Sequence, residues 1–92
     1  MSASKNLHPN TAKIELDFPI EISGVAVNHL IMRRPKVRDD LVAAKSGGSE
    51  EDKALMLMAN LCEVTVEDLL ELDSSDWGKL ERQVQDFRQA RR

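Results

Sequence analysis

The sequence predicts an α+β fold: an N-terminal β-hairpin followed by three to four short helices packed on one face. Three observations predict it. Apolar and polar residues alternate over 13–22, the period of a strand with one wet face. Ser23-Gly24, a turn signal, separates that run from a second run rich in β-branched residues, 25–34. Beyond Pro35 the apolar spacing changes to three and four residues, as on a helix face.

Taken in order, residues 1–12 are polar, contain Pro9 and show no period, so they read as a flexible arm. Residues 13–90 read as one domain, with the hairpin at 13–34, a helical part at 36–90, and a flexible break at 46–49. In the first strand Ile14, Leu16, Phe18, Ile20 and Ile22 share one face; Lys13, Glu15, Asp17 and Glu21 share the other. Pro19 cannot donate to a ladder, so the strand is an edge or carries a bulge there. In the second strand Val25, Val27 and Ile31 lie on one face and Ala26, Leu30 and Met32 on the other, which predicts deeper burial. An isolated hairpin is marginal in water, so helices must cover it.

Val37, Leu41 and Ala44 mark a helix over about 36–46. Ser46-Gly47-Gly48-Ser49 then breaks the chain, and Ser49 can cap a helix whose first turn holds Glu50, Glu51 and Asp52. That helix, 50–62, carries Ala54, Leu55, Met58, Leu61 and Cys62, with Met56 and Leu57 widening the stripe. Thr65 and Asp68 have capping-box spacing ahead of Leu69, Leu70 and Leu72. Asp73 or Ser74 opens the last helix, where Trp77, Leu80, Val84 and Phe87 form the stripe.

Composition narrows the function. The 92 residues are 41% hydrophobic and 32% charged, a globular balance, but only 3% aromatic, too few for a base-stacking platform. One cysteine excludes an internal disulfide. There is neither a membrane-length apolar run nor a secretory h-region at 1–10, so the expected location is the cytoplasm. Net charge is −3 but segregated: Arg33, Arg34, Lys36 and Arg38 cluster, whereas 39–76 holds eleven acids against Lys45 and Lys53. Such an acidic surface can guide a basic or amphipathic partner.

No catalytic, cofactor-binding or metal-binding residues are predicted, and the chain does not read as an enzyme. His8, His29 and Cys62 come from separate elements without ligand spacing. The helices at 50–62 and 66–72 imitate a helix-turn-helix. The second, however, carries Glu67, Asp68 and Glu71 and no base, so it would repel phosphate. Partner binding remains. Methionines among leucines suit an adaptable surface, which places contacts at Leu55, Met56, Met58, Leu69 and Leu70, with Glu67, Asp68 and Glu71 as rim charges. A homo-oligomer is the other way to cover such stripes.

The order of certain segments completes the reading. Phe18-Pro19-Ile20, Gly24, Met32-Arg33-Arg34-Pro35 with Asp39 and Asp40, the run 61–69, the run 72–77, then Val84 and Phe87, resemble the tail assembly chaperones of contractile-tailed phages. The likeness is in particular to tail E-like proteins of Mu-like phages and prophages. The chain differs at Lys36, where a Thr-like helix cap is expected, and at Cys62-Glu63-Val64, which replaces a Gly-containing turn. The resemblance implies a chaperone that binds the tape-measure protein in the bacterial host cytoplasm and is absent from the mature virion. It also implies, in many phages, a longer frameshifted form that recruits tail-tube protein. The alternatives are a structural tail or baseplate component retained in the virion and, behind it, a small DNA-binding regulator.

Overall fold

The computed structural model describes residues 10–89. The element order is β1 (Thr11–Ile22), β2 (Val25–Arg33), α1 (Val37–Lys45), α2 (Glu50–Cys62), α3 (Val66–Leu70) and α4 (Ser74–Arg88). The α+β architecture is as the sequence predicts. Of the arm expected at 1–12, residues 1–9 lie outside the described residues, and Thr11 and Ala12 are already strand, paired with Arg33 and Met32.

The two strands form an antiparallel hairpin closed by Ile22 opposite Val25. Its two-residue loop puts Ser23 at φ 53° and Gly24 at φ 80°. Positive φ at both loop residues matches the right-handed twist of the strands, and Gly24 adopts it without a Cβ penalty.

Register does not run unbroken. Glu15 faces His29 and Ile20 faces Val27, so β1 advances five residues while β2 advances two. The bulge spans Pro19, as its missing N–H requires. Two backbone donors are thereby freed, and both find one carboxylate. Asp17 N–H donates to Asp76 Oδ1 at 2.9 Å and Phe18 N–H to Oδ2 at 3.0 Å. Asp76 is fully buried, and Lys79, one turn along α4, lies 3.4 Å from its carboxylate while donating to the Glu15 carbonyl at 2.8 Å.

The bulge corrects two expectations. Phe18 leaves the core face and is 56% exposed. β2 is not the more buried strand: only Leu30 and Met32 are buried, while Val25 and Ile31 face solvent. Leu30 opposes core residue Ile14 and Val27 opposes core residue Ile20, so the inward side of β2 switches from even to odd positions across the bulge.

Helices cover one face of this hairpin. α2 packs on β2, α4 on β1, and α3 bridges β1 and α2. Ile14, Leu16, Ile20, Leu30 and Met32 from the sheet meet Met58, Leu61, Leu69, Leu80, Val84 and Phe87. Each such side chain contributes roughly 1.5–3 kcal/mol by leaving water. Cys62 is part of this core, and burial pushes its thiol up to about 11, leaving it unreactive at neutral pH.

The helix ends follow local chemistry. Ser49 with Asp52, and Thr65 with Asp68, form reciprocal capping boxes. Asp73 caps α4 through Ser75 N–H. Lysine at the α1 cap position has no acceptor, and the buried Asp39 carboxylate takes the Lys36 N–H instead, at 2.8 Å. Glu63 ends α2 at φ 57°, with Val64 N–H closing on the Ala59 carbonyl. A left-handed residue at this point is the usual station of glycine.

Two stability changes follow. Asp76→Ala leaves two bulge N–H groups unpaired and should cost about 3 kcal/mol, whereas Asp76→Asn, which keeps one acceptor, should cost less; urea unfolding midpoints measure both. Glu63→Gly relieves the left-handed strain and should raise the midpoint by the equivalent of about 0.5–1 kcal/mol.

Candidate functional site

The eight residues expected to meet a partner do not share one surface. Met58 and Leu69 are 4% and 3% exposed and belong to the core, which removes them from any contact surface of the folded chain. The reason is the position of α2: it is packed by α1, β2 and α3, so its wide stripe is used on several sides. Asp68 is committed to capping α3, where its carboxylate accepts the Thr65 N–H. Leu70 is 61% exposed, Glu67 and Glu71 are exposed beside it in sequence, and Leu55 and Met56 are half-buried.

Leu55 instead lines a shallow cleft between α2 and α4. Ala54, Leu55 and Trp77 form its apolar surface, Glu51 and Glu81 complete it, and its volume is about 250 Å³. Each helix supplies one acid and one large apolar group four residues apart, Glu51 with Leu55 and Trp77 with Glu81, so both pairs sit on one helical face. That spacing was visible in the sequence. What was not visible is that α3 folds the chain back so that the two faces meet.

A second surface was missed because its helix is turned over. The Val37, Leu41 and Ala44 stripe that marks α1 faces solvent; Val37 is 76%, Leu41 52% and Val42 51% exposed. Inward go Ala43 and Asp39. Arg33 grips Asp39 with two parallel bonds of 2.9 and 2.8 Å, and Arg88 holds Asp40 at 2.8 Å. α1 is therefore oriented by charge on its inner side and leaves its apolar groups outside. Gly47 and Gly48, at φ 83° and 86°, turn the chain away from it into α2.

The electrostatics explain which charges are structural. The Arg33 bonds, helped by the Lys36 N–H, hold the Asp39 carboxyl down to about 2 against the cost of its burial. Arg33 is raised in return. Burial drives the Asp76 carboxyl upward, but the Asp17 and Phe18 N–H groups and the Lys79 ammonium outweigh it, and its pKa ends below the ordinary value. Arg34 reaches the Phe87 carbonyl at 3.0 Å and stacks 4.8 Å over the Phe87 ring. Two of the four basic residues at 33–38 thus tie elements together, while Lys36 and Arg38 are exposed. His29 bonds its neighbour Asn28, and among the described residues no cluster of three His, Cys, Asp or Glu gathers as metal ligands.

The fold is thus a hairpin clasped by the last helix over a buried core, with apolar groups and charges left on its outer surfaces. Residues 13–89 match the family described as phage tail assembly chaperone proteins, E, or 41 or 14. The match spans most of the chain, and the protein belongs to that family. No curated protein and no solved structure matches it.

The Arg33–Asp39 grip sets an acid limb of stability. Asp39 titrates lower in the folded chain than its ordinary 3.8, so its contribution is complete above about pH 4–5 and is lost as pH falls toward 2. It should amount to about 2 kcal/mol. Asp39→Asn should flatten the decline of the urea midpoint between pH 5 and pH 2 (a window of about three units), leaving the part due to Asp76.

Proposed function

We propose that this chain binds the tape-measure protein and keeps it soluble until tail-tube subunits polymerise around it. It acts in the bacterial host cytoplasm, without chemistry of its own, and is not retained in the virion. The observation that carries the reading is the cleft of Ala54, Leu55 and Trp77 with Glu51 and Glu81 at its sides, within a member of the tail assembly chaperone family. An amphipathic helix offers a leucine-sized group flanked by lysine or arginine. The cleft accepts the apolar group, the two glutamates pair with the cations, and surplus negative charge keeps the complexes apart in solution. Exposed Leu70 with Glu67 and Glu71 repeats the same chemistry on α3.

Co-expression with the tape-measure protein encoded nearby tests this. The expected result is a tape measure that is soluble and co-purifies only when this chain is present. Leu55→Gln combined with Glu81→Lys should weaken capture by roughly tenfold or more while the variant retains its thermal unfolding transition. A tape measure that stays insoluble with the intact chain sinks the reading, and recovery of the chain from purified particles points to a structural component instead.

A further inference from the structure

We propose that the free edge of β2 takes up an extended segment of a partner protein, with carboxylates at the end of that segment beside Arg33. The hairpin has two edges, and they differ. On the β1 edge α4 occupies the backbone: Asp17 and Phe18 N–H donate to Asp76, and the Glu15 carbonyl accepts from Lys79. Pro19 has no N–H to offer, and Lys13, Glu15, Asp17 and Glu21 put charge along the strand. These are the devices by which a strand edge is closed to other chains. β2 has none of them. Residues 25–32 carry no formal charge and no proline, in a chain that is 32% charged.

Register shows which groups are open. Arg34 N–H bonds the Asn10 carbonyl, and bonded pairs alternate along an antiparallel ladder. Ala12 with Met32 and Ile14 with Leu30 are therefore bonded pairs, and the N–H and carbonyl groups of His29, Ile31 and Arg33 point away from β1. Among the described residues no strand lies beyond them and no other backbone group bonds them. Ile31, 47% exposed, gives an incoming strand an apolar neighbour. At its Arg33 end the edge opens on a cleft of about 370 Å³ lined by Asn10, Thr11, Arg33, Arg34, Lys36 and Arg38. Asp39 answers the charge of Arg33, whereas Lys36 and Arg38 are exposed and make no ion pair among the described residues. Backbone pairing gives affinity for an extended chain, and the cations select one with carboxylates at that end. A second copy of β2 fits poorly, because 25–34 holds no acid to meet the cations. A nucleic acid lacks the amide pattern that the edge presents.

Amide hydrogen exchange of the purified chain, followed by NMR, is the test, with the peptide Asp-Asp-Thr-Val-Thr-Val-Thr as probe. In antiparallel pairing the N-terminal acids of this peptide meet the cleft. With the peptide at roughly millimolar concentration, the amides of His29, Ile31 and Arg33 should exchange about tenfold more slowly. Those of Leu30 and Met32, already bonded to β1, should change much less. A peptide with Lys-Lys in place of Asp-Asp should protect less, and Lys36→Glu with Arg38→Glu should reverse that preference. Asp-Asp followed only by prolines keeps the charge, loses the amide donors, and should not protect the edge. Circular dichroism checks that the double variant is folded. No slowing with the first peptide, or equal slowing with the lysine or proline peptide, overturns the proposal. So does slowing that appears without peptide as the chain is concentrated, which puts a second copy on the edge. Because no tape measure is present, each result is separate from the chaperone reading.

Discussion

The buried carboxylate of Asp76 is the constraint around which the other elements are arranged. A bulge that accommodates Pro19 frees two N–H groups in β1, and they pair with a carboxylate that is itself fully buried and could not be left there without donors. One side chain satisfies both, and it can do so only if α4 lies against β1 in a single register. Lys79, reaching the Glu15 carbonyl from the same helix, fixes the rotation further. With α4 so placed, Leu80, Val84 and Phe87 meet the inner face of the hairpin. The same bulge switches the inward side of β2, which decides that Leu30 and Met32 are covered and Ile31 is not.

α1 is governed by a different rule. Its buried residues are Ala43 and Asp39, so little apolar area holds it down. The Arg33 fork and the Arg88 contact supply orientation instead, and geometry of that kind is specific even where its net energy is modest. Together the two rules divide the molecule. The hairpin, α2, α3 and α4 share a hydrophobic core, while α1 is an outlying helix joined by a glycine pair on one side and by proline and arginines on the other.

Much of this was legible in the sequence because it rests on local chemistry. The alternation at 13–22, the Ser23-Gly24 turn, the Ser49 and Thr65 caps and the Trp77 to Phe87 stripe each act through neighbours a few residues away. Proline at 19 announced an edge or a bulge, and the bulge is there. What escaped depends on long-range partners. Nothing near Phe18 reveals that its N–H bonds a residue 58 positions on. The α1 stripe reads as a core face until Arg33 is seen holding Asp39 inward. The surplus width of α2 looked like partner surface, and Met58 became core only once the sheet was laid beneath it. Leu55 was found by the acidic, leucine-rich pattern, whereas Trp77 and Glu81 needed the return of the chain through α3.

The separation between the bulge and its carboxylate has a bearing on how the chain is made. Fifty-nine positions lie between Asp17 and Asp76. At roughly 5–20 residues per second, a ribosome takes about 3–12 seconds to travel that distance. Throughout that interval the hairpin has its turn and its pairing pattern but lacks the carboxylate that accepts the two N–H groups of its bulge. The hairpin is therefore completed only after α4, the last helix of the fold, has left the exit tunnel. A tail assembly chaperone thus has its own apolar strand residues uncovered for an interval before its fold can close over them.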